Sequence, residues 1–175
     1  ALSSAASDVY KRQMSNRPDI TKKLSLSLEK HLNPKNDTRI YMAKECTFDY
    51  ATGVSKRVDY CQFKPVNTSV SGIEKGDFYC YEIKSSVEDF HSPNGHNFLG
   101  DYNYYVMPED VYIPDGINKG GWYNLKAVKK ARKINRTRPL TEILFMMFRS
   151  SNREIYKLKE GKVNKAWVTV KRNVY

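Results

Sequence analysis

Residues 77–86 read DFYCYEIKSS. Their aromatic and β-branched side chains predict a strand from Asp77 to Lys84 that stops abruptly at Ser85-Ser86. Ser85-x-x-Glu88 has capping-box form, so a helix is expected to run on to about His91, where Pro93-Asn94-Gly95 breaks it. Side chains two apart on a strand share a face, so Glu82 and Lys84 stand together while Ile83 points away. An acid and an amine side by side at the end of an aromatic strand make this the segment to work outward from.

Upstream, Ile20, Leu24, Leu28 and Leu32 recur every fourth residue and predict an amphipathic helix, with Asp19 or Thr21 as its cap and Asn33-Pro34 as its stop. Arg39–Phe48 and Arg57–Phe63 read as two strands of a hairpin around Tyr50-Ala51-Thr52-Gly53. The polar, glycine-containing stretch from Pro65 to Gly76 reads as a loop. Downstream, Tyr102–Met107 and Trp122–Val128 are predicted strands, and Leu140–Ser150 is an apolar helix. Arg153–Leu158 and Ala166–Val170 suggest a terminal hairpin turning at Glu160-Gly161. Helix, three strands, helix, strand, strand, helix, without internal repeats, predicts one α/β or α+β domain with a mixed sheet.

The 175 residues carry 30 Lys+Arg against 19 Asp+Glu, a formal charge of +11, with 40% hydrophobic and 13% aromatic residues. That suffices for one core and argues against wholesale disorder. A mean hydropathy of -0.67 and the lack of a long apolar run predict no membrane span and suit a soluble, cytoplasmic protein. Residues 1–13 lack the apolar core of a secretory signal and precede Met14; they are expected to be a non-native or disordered leader, leaving 14–175 as the domain. Cys46, Cys61 and Cys80 sit among aromatic and β-branched residues in no ligand spacing, which predicts reduced core thiols rather than a zinc site.

If Asp59, on the second strand, lies level with Glu82, two carboxylates converge, and a divalent cation would relieve their repulsion; Mg²⁺ suits carboxylates plus waters. Lys84 would then orient or polarise an attacking water. Such a cation can generate the nucleophile and neutralise charge developing on a phosphate. With 9 Glu and 20 Lys, chance predicts about one E-x-K in the chain. Glu160-Gly161-Lys162, a second instance, reads as a solvated turn. The weight on Glu82-Ile83-Lys84 therefore comes from its strand, the upstream Asp59 and the capped helix that follows. A cross-strand salt bridge from Glu82 to a lysine or arginine is the equal alternative.

Asp59 with Glu82 and Lys84, in that order of elements, resembles the PD-(D/E)XK or restriction-endonuclease-like nucleases. The MmcB-like branch and its phage-borne relatives are most similar: Arg57-Val58-Asp59-Tyr60, then Tyr81-Glu82-Ile83-Lys84-Ser85 with Glu88-Asp89-Phe90, Asn97-Phe98-Leu99-Gly100-Asp101 and Asn103-Tyr104-Tyr105-Val106-Met107-Pro108. The resemblance spans about Arg39 to Arg153. It implies an αβββαβ core with a mixed sheet flanked by helices, and a Mg²⁺- or Mn²⁺-dependent nuclease. Asp59, Glu82 and Ile83 would be the metal ligands and Lys84 the catalytic lysine. Val58 stands where the motif's proline would be. Many members add a glutamate from the first helix, for which Glu29 is the candidate; Glu45, on the first strand, competes and is preferred.

Lys126, Lys129, Lys130, Arg132, Lys133, Arg136 and Arg138 form a run without an acid, expected to track phosphates. His96 and Asn97 follow the Pro93 turn and could touch substrate, whereas His91 suits a helix C-terminus. Most of Tyr102, Tyr104 and Tyr105 should be packing, with room for one to stack on an unpaired base. The expected activity is hydrolysis of nucleic-acid phosphodiesters, DNA before RNA, by water attack on phosphorus; a homodimer is compatible. A binding or repair accessory module on the same fold is the alternative.

Overall fold

Strand β1 (Tyr41–Phe48), β2 (Lys56–Lys64), β3 (Asp77–Ile83) and β4 (Tyr102–Val106) form one sheet in that order. The computed structural model describes residues 18–49, 52–108, 111 and 131–172, with side chains as far as Glu160. The pairs β1–β2 and β2–β3 are antiparallel, and β3–β4 is parallel. A parallel neighbour cannot be reached by a tight turn, so the chain crosses over between them through a short helix and a loop.

Two helices cover the two faces. Helix α1 (18–32) lays Leu24 and Leu28, 0% and 2% exposed, on Tyr60, Tyr81, Ile83 and Val106. Each buried leucine contributes about 2 kcal/mol. The last helix packs Ile143 and Met147 on Ala43, Cys61, Phe78 and Cys80 of the opposite face. All three cysteines are buried and free, as their neighbours in sequence implied. The architecture is thus mixed α/β, a four-stranded mixed sheet flanked by helices.

The hairpin pairing breaks its own period. Lys44 pairs with Tyr60 and Cys46 with Val58, but the ladder skips Glu45 and Asp59, and Glu45 has φ +50°. Ala43 and Cys46, three apart, can therefore both face the same core. The register is the same on both sides of this gap, but the gap frees backbone groups. Ser150 on the last helix donates to the Lys44 carbonyl, and Arg153 donates to that of Glu45 at 3.0 Å.

Several expectations are corrected. The stretch from Pro65 to Gly76 holds a helix, α2 (Val70–Glu74), capped by Ser69, whose hydroxyl accepts from Gly72 N. Helix α3 (Val87–His91) starts one residue later than the capping box suggested: Ser86 is the cap, and the Asp89 carboxylate reaches back to the N–H and hydroxyl of Ser85. Asp19 lies within α1, which is helical from residue 18. The terminal hairpin is absent. Helix α4 (Leu140–Arg172) runs straight through Glu160-Gly161, because one glycine costs a helix only about 1 kcal/mol and cooperative propagation outweighs it. Glu160-Gly161-Lys162 is accordingly helical rather than a turn. The expected strand at 122–128 and the leader at 1–13 lie outside the described residues.

Asp101 ties the start of β3 to the segment preceding α4. Its carboxylate, 5% exposed, accepts from Phe78 N at 2.8 Å and pairs with Arg136 at 3.3 Å. Asp101→Ala leaves a buried amide and a guanidinium without their acceptor, so urea unfolding should show a loss of about 2–4 kcal/mol with an unchanged slope. A loss within a few tenths of the parent's stability would rule out this role.

Candidate active site

The last register pair of β2 and β3 is Tyr60 with Tyr81; beyond it the strands part. Parting leaves the Ile83 N–H without a β2 carbonyl, and Asp59 Oδ2 takes it at 2.8 Å. Lys84 N–H turns the other way, to Val106 O of β4 at 2.9 Å. The fork thus holds the Asp59 carboxylate beside the end of β3, where Glu82 and Lys84 are 8% and 3% exposed. The structure brings Asp59, Glu82 and Lys84 together.

Burial and neighbouring charges shift both acids. Burial, and next the Asp59 charge, push the Glu82 carboxyl up to about 8, against the pull of Lys84, Asn97 and Arg57. Asp59 is also raised, by burial, although the Ile83 amide, Arg57 and Lys84 oppose it. Glu82 Oε1 is buried without a hydrogen-bond partner. Lys84 Nζ donates to the carbonyls of Asn94 at 2.5 Å and Asp89 at 3.2 Å. Those carbonyls belong to α3 and the loop after it, which close over the site. Gly95 sits on top: φ is +71°, and a Cβ there would lie 2.8 Å from Lys84 Nζ and 3.2 Å from Glu82 Oε2. Only glycine fits that backbone and that space.

One wall is aromatic. Tyr105 pairs with Glu82 in the parallel register, and Phe90, His96 and Phe98 meet its ring edge-on. Burial and the Glu82 charge push the Tyr105 phenol up to about 12. His96 Nε2 lies 2.9 Å from the Ser92 carbonyl and Nδ1 lies 2.5 Å from the Tyr105 hydroxyl. A carbonyl only accepts, so Nε2 carries the proton and Nδ1 accepts from the phenol. His96, expected at the substrate, instead fastens the loop to β4. Asn97 likewise braces: its Nδ2 donates to Arg57 O at 2.8 Å, and its side chain lies near enough to pull the Glu82 carboxyl down.

The residues fit a hard dication. Two carboxylates raised by burial, one of them further by the other's charge and left with an orphaned buried oxygen, are chemically suited to Mg²⁺ or Mn²⁺. Ile83 could contribute only its carbonyl oxygen, since its side chain is hydrocarbon and its N–H is given to Asp59. No group of three or more His, Cys, Asp or Glu side chains placed to hold a metal occurs among the described residues. Neither candidate third acid joins. Glu45 turns to Arg153 of α4 at 3.8 Å, and Glu29 accepts from the Tyr60 hydroxyl at 2.7 Å and pairs with Lys44 at 2.5 Å.

The basic run is largely engaged elsewhere. Lys133 pairs with Asp77, at the opposite end of β3 from Glu82, Arg136 with Asp101, and Arg138 with Asp49 and Glu142. Arg132 is exposed. Lys126, Lys129 and Lys130 lie outside the described residues. Among the described residues, Arg57 is an exposed cation whose charge reaches both carboxylates, and it stands outside the run. An apolar groove of about 530 Å³ between α4 and the β1 edge, lined by Met42, Phe63, Leu144 and Phe148 among others, contains none of the site residues.

No family model matches the chain, and no curated protein matches it. A solved structure of a protein of unknown function from Silicibacter pomeroyi is similar, with a TM-score of 0.57 and 16% identity over 81% of this chain and 92% of that one. At that identity the likeness is one of fold.

Proposed function

We propose that this chain is a metal-dependent nuclease with a restriction-endonuclease-like core, hydrolysing phosphodiester bonds of DNA in preference to RNA. The observation that carries the reading is the meeting of Asp59, Glu82 and Lys84 at the β2–β3 fork, with a carboxylate oxygen of Glu82 left unsatisfied. The order helix, β1, β2, β3, helix, β4, with the five-residue α2 inserted between β2 and β3, and the parallel β3–β4 pair support the same core.

Asp59 and Glu82 would hold the ion, which when bound supplies Lewis acidity to a water and to the phosphate. Asp59 is aimed by the Ile83 amide, so this carboxylate need not reorganise. Lys84 places a positive charge beside the phosphate position, held by two main-chain carbonyls that accept its protons but cannot neutralise it. Preformed charge of this kind stabilises a developing one without reorganisation. Arg57, exposed beside them, can meet a phosphate.

The near-complete burial of Glu82 and Lys84 under the loop favours a second reading, a DNA-binding or repair accessory module with little catalysis. Plasmid, linear and single-stranded DNA incubated with Mg²⁺ or Mn²⁺ separates the two. Cleavage by the parent should fall on the order of 10²–10³-fold in Lys84→Ala and at least as far in Asp59→Asn and Glu82→Ala. Binding without cutting selects the accessory module; cutting that persists in all three variants places the site elsewhere.

Proton and cation compete for Glu82. Without metal, the native state keeps the Glu82 proton from the ordinary 4.5 up to about 8, whereas the unfolded chain releases it near 4.5. The stability this contributes is fully present below 4.5 and lost as pH rises through 8. With chelator present, urea titrations should therefore show a decline across that window on the order of a few kcal/mol, absent from Glu82→Gln. Mg²⁺ should restore stability most at the alkaline end, by binding the native state alone. The same slope in parent and Glu82→Gln would refute the assignment.

A further inference from the structure

We infer that Phe98 and Arg57 form a subsite for an unpaired nucleotide beside the carboxylates, with the Phe98 ring stacking on a base and the Arg57 guanidinium meeting its phosphate. The inference rests on the nuclease reading and narrows its substrate to single-stranded or locally unpaired nucleic acid.

Phe98 is 47% exposed and has φ +47°, a left-handed conformation that a bulky side chain rarely adopts. Its surroundings hold it there. On one side Asn97 is fastened to the Arg57 carbonyl; on the other Leu99 is 3% exposed in the core. Just beyond, Gly100 exchanges two hydrogen bonds with the Asn103 side chain, at 3.0 and 2.8 Å. The backbone bends at residue 98 so that both neighbours stay anchored, and the ring is left standing in solvent. Packing gives no reason for this, since nearly half of its surface is wet. Its rigid mount and its place do: the ring touches Tyr105, the register partner of Glu82, at 5.7 Å and 86°.

Arg57 supplies the complementary charge. It is exposed, Asn97 bonds its carbonyl, and its charge reaches both Asp59 and Glu82. An aromatic face and a cation flanking two carboxylates on a chain of net charge +11 match the base and phosphate of one nucleotide. A duplex keeps its bases stacked on one another, so only an unpaired or extruded base can lie on Phe98.

A nuclease-resistant, phosphorothioate-linked single-stranded oligonucleotide carrying one 2-aminopurine, titrated in Mg²⁺, reads affinity and stacking together. Phe98→Ala should weaken binding about 5- to 100-fold and abolish the change in 2-aminopurine emission, while Phe98→Trp retains both. Affinity for a fully paired duplex of the same length should change less than twofold. Phe98→Gly, whose backbone accepts the left-handed conformation, should bind as poorly as Phe98→Ala while melting no lower than the parent, which separates lost stacking from lost folding. Arg57→Ala should weaken both probes and lower the salt slope by about one. Parent-like binding in the Phe98 variants, or an equal loss on duplex, overturns the subsite even where the parent cleaves DNA. Stacking without cleavage keeps the subsite and overturns the nuclease reading. A parent that binds neither probe overturns both.

Discussion

The hydrogen bond from the Ile83 amide to Asp59 at 2.8 Å is the constraint on which the site depends. A strand that leaves its neighbour strands an N–H, and a buried orphan of that kind costs about 1–3 kcal/mol. Asp59 removes that cost with a carboxylate rather than a carbonyl, so satisfying the backbone also fixes an acid next to Glu82. The skip in the β1–β2 ladder at Glu45 and Asp59 is part of the same arrangement. It takes Asp59 out of the regular pairing, while Ser150 and Arg153 of α4 satisfy the carbonyls that the skip releases on β1.

Two acids and an amine at one point are expensive to bury. The amine donates to main-chain oxygens of Asp89 and Asn94, and one Glu82 oxygen is left unpartnered. Without a cation the cost appears as a carboxyl that holds its proton to about 8. A site built for stability alone would close that gap with a hydrogen bond or replace the acid with an apolar side chain. Retention of an unsatisfied acid beside a second acid is the pattern of groups arranged for a ligand.

Much of this was legible in the sequence, for identifiable reasons. Leu24 and Leu28 report α1 because their spacing is local, and the aromatic run ending in Glu82-Ile83-Lys84 reports β3 and the shared placement of acid and amine. Long-range partners were not legible. The basic run reads as a phosphate surface until Asp49, Asp77 and Asp101, distant in sequence, prove to pair with three of its members. Glu45 reads as a third acid because nothing local announces the left-handed backbone that goes with its turn to Arg153. Gly161 reads as a turn because a glycine signals one, whereas the helix around it has enough good formers to absorb the defect.

The cover over the site follows from topology. Because β4 runs parallel to β3, the chain must leave the C-terminal end of β3 and return to the start of β4, and that crossover begins over Glu82 and Lys84. A loop there is unavoidable; what the sequence chooses is how it is held. Ser92, through its carbonyl, and His96 bind it to Tyr105, Gly95 lets it descend onto the Lys84 amine, and Asn97 ties it to β2 through Arg57. Phe98 is the first residue past these ties, and it is 47% exposed. The connection that buries the acids and the exposed Phe98 beside them are therefore parts of one crossover.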